Sequence, residues 1–79
     1  MVSMADGAPD WAGAPAGWNW LAQDEDGRWF WYAVRPRPSL GGGVWRAPRR
    51  LQQLASSGAP NADWVYTLCN RTTPDVTSV

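Results

Sequence analysis

Histidine and lysine are absent from this chain of 79 residues, and cysteine occurs once, as Cys69. Without histidine, neither Cys69 nor any serine has the imidazole base that activates most nucleophiles. Metal coordination would depend on carboxylates, because no imidazole and only one thiolate are present. A disulfide within the chain is excluded. These absences predict a protein that is not an enzyme and that holds no metal and no cofactor.

A long apolar run is also missing. No stretch approaches the ~18 residues that a membrane span requires, and the N-terminus has neither the basic start nor the apolar core of a signal peptide. An unpaired cysteine is compatible with a reducing compartment. We therefore expect a cytoplasmic protein with no membrane partner.

Aromatic residues are abundant instead. The chain has seven Trp, two Tyr and one Phe, and each brings about 150–250 Å² of buriable surface. At this length the chain forms one domain, and a few large aromatics can replace a larger aliphatic core. Neither terminus shows an apolar period. We predict a flexible tail at residues 1–10, a single domain at 11–71 and a second flexible tail at 72–79.

The most ordered pattern is an aromatic-rich β-hairpin. Its strands, predicted at residues 17–23 and 28–35, flank an acidic turn that ends in Asp26-Gly27, a frequent hairpin turn. On the second strand four aromatic residues alternate between the faces, Trp29 and Trp31 on one, Phe30 and Tyr32 on the other. Such a strand is either covered on both sides or leaves one aromatic face open as a binding surface. The sequence leaves both alternatives open.

The remaining segments predict a loop, a short strand and helices. Two prolines and three glycines make residues 35–43 a long, mobile loop, and Val44–Arg46 suits a third strand. Residues 48–57 have the apolar spacing of a short helix, with a strand at residues 50–54 as the alternative. Residues 62–71 follow an Asn cap and carry apolar residues at helical spacing, among them Trp64 and Leu68. The predicted fold class is α+β: an antiparallel sheet of three or four strands with one short C-terminal helix.

Charge is distributed unevenly along a chain whose net charge is zero. Six of the seven arginines lie between residues 28 and 50, whereas five of the seven acids precede them. Arginine favours planar, bidentate and stacking contacts, and Trp and Arg are enriched at interaction hot spots. We predict a partner-binding surface formed by Trp29, Trp31, Arg35, Arg37, Trp45 and Arg46.

Two blocks occur in a fixed order, WLAQDEDGRWFWY starting at Trp20 and PNADWVYTLCNR starting at Pro60. Together they resemble a group of small uncharacterised proteins encoded by tailed bacteriophages, which carry W-x-A-x-D-x-D-G-x-W-W-W-Y-like and P-N-x-D-W-x-x-x-L blocks. The resemblance covers about residues 18–71 and implies a phage source and the cytoplasm of a bacterial host. It brings no activity with it. It also implies a strand-like region before the second block, in competition with the helix at 48–57.

A weaker resemblance is to WW domains, three-stranded modules that bind proline-rich motifs. It is carried by P-x-G-W ending at Trp18, by Gly27-Arg28, by Phe30-Trp31 and by the W-x-x-P that starts at Trp45. The resemblance implies an aromatic groove formed by Phe30 or Trp31 with Trp45. The groove histidine of that family is absent here, and the connection between the second and third strands is several residues longer.

The leading functional interpretation is a small non-catalytic protein that binds a host or phage protein stoichiometrically, for example as an inhibitor of a defence or transcription complex. Three alternatives stay open: a WW-like proline-motif module, a single-stranded nucleic-acid binder that stacks bases on Trp29 and Trp31, and a minor structural protein of the virion. Zero net charge lacks the basic footprint of nucleic-acid binders, so nucleic acid is not the favoured partner. We expect a monomer or a small homo-oligomer.

Overall fold

The computed structural model of the chain describes residues 7–71. These residues form six strands: β1 (Trp20–Gln23), β2 (Arg28–Tyr32), β3 (Arg37–Ser39), β4 (Val44–Arg46), β5 (Gln52–Ser57) and β6 (Cys69–Asn70). They also form three short 3₁₀ turns: Trp11–Gly13, Arg49–Leu51 and Trp64–Tyr66. No α-helix occurs in this part of the chain, so the predicted α+β class is wrong and the described domain is built from strands.

Four of the strands form an antiparallel sheet in the order β5-β2-β1-β6. The predicted hairpin lies at its centre, because β1 and β2 pair in the register Trp20↔Tyr32 to Gln23↔Trp29. The connecting turn closes at Gly27, whose φ of +99° is a conformation that favours glycine. Aromatic and apolar residues alternate on these two strands, and this alternation fixes which side chain meets which face.

The segment predicted as a loop at residues 35–43 contains a strand. β3 pairs with β4 as a separate two-stranded antiparallel sheet, which places Arg37 opposite Arg46 and Pro38 opposite Trp45. Because β3 has a free edge, the missing amide hydrogen of Pro38 does not interrupt a ladder. The strand predicted at Val44–Arg46 is confirmed, but its partner is β3 and not the central hairpin. The second strand of the central hairpin ends at Tyr32, before the predicted Arg35.

Residues 48–57 do not form the predicted helix. A 3₁₀ turn is followed by β5, which pairs with β2 from Tyr32↔Gln52 to Arg28↔Ser57 around a β-bulge. A helix here would leave the amide and carbonyl groups on that edge of β2 without partners, and this cost outweighs the helical spacing of a few apolar residues. The alternative of a strand in this region was the better prediction.

The C-terminal helix predicted at residues 62–71 is also replaced, by the turn Trp64–Tyr66 and by β6. Thr67 ends the turn, because its hydroxyl donates to the Trp64 carbonyl (2.7 Å) and accepts the amide of Gln23 (2.8 Å). The chain then continues as β6, in which Cys69 pairs with Leu21. Trp64 is nevertheless buried against the sheet, so this segment covers a face as expected without being a helix.

Both faces of the central hairpin are covered. We call the face that the β3–β4 hairpin covers the hairpin face. There Ala22 and Tyr32 pack with Trp45 from β4 and with Trp64. The Trp45 and Trp64 rings meet edge to face, with centroids 5.9 Å apart.

The N-terminal face carries the second cluster. Its buried members are Leu21, Trp29 and Trp31, and the chain before β1 covers them with Ala8, Trp11, Ala14 and Trp18. The two-sided aromatic strand is therefore core on both sides.

The predicted tails fall partly outside the described residues. Residues 1–6 and 72–79 lie outside them, whereas Ala8 packs on the N-terminal face and Asp10 caps the turn Trp11–Gly13 by accepting the amide of Ala12 (3.0 Å). Between residues 7 and 71, no helix has the length and apolar character needed to span a bilayer.

Candidate functional site

The six residues predicted to bind a partner separate into a buried and an exposed group. Trp29, Trp31 and Trp45 are buried, with exposed fractions of 0%, 3% and 5%. These three indoles belong to the core and present almost no surface to a ligand. The three arginines of the set, Arg35, Arg37 and Arg46, are all exposed.

The exposed arginines do not form one continuous group with the tryptophans. Arg35 stacks on Trp20, with its guanidinium carbon 5.4 Å from the ring centroid. Arg37 and Arg46 face each other across the β3–β4 pair, and directly opposed residues of an antiparallel pair project to the same side. The structure thus brings together Arg37 and Arg46, next to Trp45, and separates them from Trp29 and Trp31 on the N-terminal face.

A cleft beside β4 collects the densest group of arginines, and we call it the arginine cleft. It has a volume of about 340 Å³, within the range of ligand pockets. Its lining residues are Asp24, Arg28, Phe30, Val44, Trp45, Arg46, Ala47, Arg49 and Gln52. Three arginines, one carboxylate and an aromatic floor therefore converge on one concavity of the hairpin face.

The arginines of the cleft differ in how their charge is compensated. Arg28 forms an ion pair with Asp26 at 2.9 Å, with about half of each side chain exposed, and its guanidinium lies 5.9 Å from the centre of the Phe30 ring. An ion pair this exposed contributes little and exchanges readily with another carboxylate. Within residues 7–71, neither Arg46 nor Arg49 forms an ion pair.

Asp24 contributes a buried carboxylate to the same cleft. Its side chain is only 4% exposed, and Oδ1 accepts the backbone amide of Trp45 at 2.9 Å. Burial raises the pKa of Asp24, although the hydrogen bond from Trp45 acts in the opposite direction. No hydrogen bond from the described part of the chain reaches Oδ2. Oδ2 is not one of the buried polar atoms without a partner, so the carboxylate keeps one acceptor that is reachable from the cleft.

The position of Asp24 follows from how the β3–β4 pair docks on the β1–β2 turn. The Trp45 indole nitrogen donates to the Gln23 carbonyl at 3.0 Å, and the amide of Glu25 donates to the Gly43 carbonyl at 2.8 Å. Together with the Asp24–Trp45 bond, these contacts attach β4 across the end of β1. They bring β4 close to Phe30, so that residues of both line the same cleft.

Two buried side-chain atoms in residues 7–71 lack a hydrogen-bond partner, Trp29 Nε1 on the N-terminal face and the Tyr32 hydroxyl on the same face as Asp24. Burial, and next the negative charge of Asp24, raise the pKa of Tyr32, so the phenol stays protonated at neutral pH.

A second cavity, of about 480 Å³, lies at the end of β1 between Gly7 and residues 58–61. Trp29 and Gln23 line it, but no charged residue does. The Gln23 side chain is already committed, because it donates to the Gly27 carbonyl (3.0 Å) and accepts from Asn61 (3.0 Å). We therefore take the arginine cleft as the candidate site.

Sequence reasoning found Trp45 and Arg46 of the cleft and named Phe30 only through the WW resemblance. It missed Asp24, Arg28 and Arg49 as site residues. The acidic turn was predicted only as the hairpin connection, and Asp24 is its buried member. Asp24 stands at the end of the first hairpin strand, and the residues after it can form the turn without it. This position is the only sequence signal for its burial. Arg49 was part of the noted arginine run, but its convergence with Arg28 depends on contacts that no local pattern contains.

No group of three or more metal-ligating side chains lies close together in residues 7–71. No protein-family model, curated protein or solved structure matches the chain. The function is therefore argued from the geometry of the site.

Proposed function

We propose that the chain is a non-catalytic protein that binds an acidic segment of a partner protein in the arginine cleft. The observation that carries this proposal is the convergence of Arg28, Arg46 and Arg49 on one concavity with an aromatic floor. Guanidinium groups bind carboxylates in a planar, bidentate geometry, and they are less strongly hydrated than ammonium groups. Arginine beside a recessed aromatic residue is typical of interaction hot spots.

Charge complementarity supports an anionic partner. Arg46 and Arg49 have no acidic partner in the described chain, and Arg37 adds a further positive charge on the same side of the β3–β4 pair. The chain as a whole is neutral, and Asp24 and Asp26 offset part of the charge of the cleft. The three arginines of the cleft and Arg37 still leave this part of the molecule net positive. Partner carboxylates would then replace solvent around these guanidiniums.

The same geometry favours a protein over the alternatives. Stacking of nucleic-acid bases on Trp29 and Trp31 has no exposed ring to use, because both are buried. A WW-like groove would need Trp45 open beside Phe30 or Trp31, and Trp45 is packed against Trp64. A host or phage protein in the cytoplasm of an infected bacterium, for example part of a defence or transcription complex, is the partner we propose.

Binding of labelled acidic peptides tests the proposal. Fluorescence anisotropy would follow a fluorescein-labelled peptide of glutamates around one tyrosine, at low and at physiological salt. We expect saturable binding that weakens as salt rises, because the contacts are between exposed charges. The double variant Arg46→Ser/Arg49→Ser should lose about tenfold in affinity, since two exposed charge contacts of up to about 1 kcal/mol each together supply about 1.4 kcal/mol.

Arg35→Ser/Arg71→Ser is the matched control. It removes the same two charges outside the cleft, where the guanidiniums stack on Trp20 and Trp11. An equal loss of affinity in this variant would mean that only net charge matters and would overturn the assignment to the cleft. Absence of binding by the folded parent chain at low salt would overturn the proposed function itself.

A further inference from the structure

We infer that the arginine cleft selects an acidic segment that carries a tyrosine or tryptophan, whose O–H or N–H group donates a hydrogen bond to Asp24. This inference rests on the proposed function and names the side chain that the site recognises. Three features of the cleft carry it: the free acceptor on Asp24, the aromatic floor, and the excess of positive charge at the rim.

Asp24 provides the hydrogen-bond acceptor of the cleft. Asp24 is 4% exposed and lines the cleft, yet the described chain satisfies only Oδ1, through the amide of Trp45. Oδ2 is not one of the buried polar atoms that lack a partner, so it is reachable from the cleft. A ligand that donates to it replaces water at a charged acceptor, and hydrogen bonds to charged groups are stronger than neutral ones. The occupant of the cleft therefore has a hydrogen-bond donor at its inner end.

The apolar lining of the cleft favours a donor that is attached to a flat apolar group. Phe30, Val44 and Ala47 line the cleft, and Arg28 lies over the Phe30 ring at 5.9 Å. Because the Arg28 guanidinium covers the Phe30 ring, an aromatic ring placed here contacts the outer face of that guanidinium, an arrangement that favours electron-rich rings. Tyrosine and tryptophan combine such a ring with a polar hydrogen at its edge.

The rim excludes the obvious competitor, a lysine or arginine that would pair with Asp24. Arg28, Arg46 and Arg49 outnumber Asp24 inside the cleft and Asp26, which pairs with Arg28, so one positive charge is in excess. A cation would therefore meet a net positive charge, which makes entry unfavourable. A neutral donor flanked by acidic residues satisfies Asp24 and the arginines at the same time.

A pair of peptides that differ by one oxygen atom tests the inference. The labelled sequences Glu-Glu-Tyr-Glu-Glu and Glu-Glu-Phe-Glu-Glu would be titrated against the full chain under identical conditions. We expect the tyrosine peptide to bind about tenfold more tightly, because its hydroxyl donates to the carboxylate of Asp24 and a hydrogen bond to a charged group contributes about 1.5–3 kcal/mol. Equal affinities for the two peptides would overturn the inference while leaving the proposed function intact.

Asp24→Asn is the matching protein variant. Asparagine keeps an oxygen for the Trp45 amide but can turn an NH₂ group, a donor, toward the cleft where the carboxylate was an acceptor. In this variant the tyrosine peptide should lose its advantage over the phenylalanine peptide. A preference for tyrosine that persists in the folded variant, as judged by its thermal melt, would overturn the role of Asp24.

Two further ligands test whether a nucleotide or a nucleic acid occupies the cleft instead of a peptide. Cytidine monophosphate and oligodeoxycytidine combine a planar ring, an amino donor and phosphate, and so share part of the recognised chemistry. We expect neither to displace the tyrosine peptide at equal concentration. Displacement by cytidine monophosphate would replace the inference with nucleotide recognition. Displacement by the oligomer alone would identify a nucleic acid as the ligand. If no acidic peptide binds the parent chain at all, the proposed function fails together with the inference.

Discussion

At the scale of single residues, Asp24 links the stability of the fold to the chemistry of the site. It holds β4 in place through the Trp45 amide, and it does so as a carboxylate removed from water. A neutral acceptor would hold the same amide at lower desolvation cost. The ionised group at this position therefore carries a cost in stability, which a role in ligand binding would explain.

This cost predicts a specific pH dependence. Burial raises the pKa of Asp24 in the folded chain, so the folded state holds the proton more tightly than the unfolded state. The free energy of unfolding then rises as the pH falls from above the raised pKa toward about 3.9, the value for a free aspartate. Asp24→Asn removes the titration, and urea denaturation should show it to be more stable than the parent chain at pH 7.

The stability gap between the two proteins should narrow as the pH falls toward about 4, because the folded parent takes up a proton on Asp24 more readily than the unfolded chain does. The other carboxylates titrate in both proteins and cancel in the comparison. A gap that widens on acidification would show that the charge of Asp24 stabilises the fold.

At the scale of elements, the turn between β1 and β2 depends on close approach to residues 58 and 59. Gly27 has a φ of +99°, and a Cβ added there would lie 2.6 Å from the carbonyl carbon of Ala59 and would collide with the Gly58 carbonyl. Gly27→Ala should therefore combine backbone strain with steric overlap, and we expect a loss of about 2–5 kcal/mol.

Gly17→Ala is the control for this prediction. Gly17 also has a positive φ, +81°, but no atom lies within 4 Å of the position of an added Cβ. Only the backbone term remains, about 1–2 kcal/mol. Urea midpoints of the two variants measure the difference. Equal losses would mean that β5 moves away from the turn without cost.

Some strands of the fold could be predicted from their local sequence, and others form only through pairing with a distant strand. The β1–β2 hairpin and β4 were predictable, because alternation and turn residues lie within each segment. β5 and β6 were not, because each is a strand only through its partner, β2 or β1. The 3₁₀ turns before them mimic helix starts. Apolar residues at helical spacing cannot distinguish a short helix from an edge strand completed by tertiary pairing.

The candidate site divides in the same way. Arg46 was predictable from the run of arginines, and the burial of Trp29 and Trp31 was one of two alternatives that the pattern itself defined. Asp24 entered the site only through the docking of β4 across the end of β1, a contact between residues about twenty positions apart. Spacing along the chain carries no signal for such a contact.

At the scale of the whole molecule, the two aromatic clusters share their supporting strands. The hairpin face uses Ala22 and Tyr32, and the N-terminal face uses Leu21 and Trp31, all from β1 and β2. Loss of either cluster would expose one face of β1 and β2 and so weaken the strands that support the other cluster. We therefore expect the described domain to unfold as one cooperative unit, as small single domains usually do.

Hydrogen exchange of two indole protons tests this coupling from opposite faces. The Trp45 Nε1 proton is bonded to the Gln23 carbonyl on one face, and the Trp29 Nε1 proton is buried on the other. Trp18→Ala trims only the N-terminal face, where Trp18 is half-buried. If exchange proceeds through global unfolding, both protons should exchange faster by the same factor, about 10- to 100-fold for a loss of about 1.4–2.8 kcal/mol. Leu40→Ala, at a residue that is 72% exposed, should change neither rate. Acceleration of the Trp29 proton alone would instead mean that the chain before β1 detaches as an independent layer, leaving the arginine cleft on a fold that does not need it.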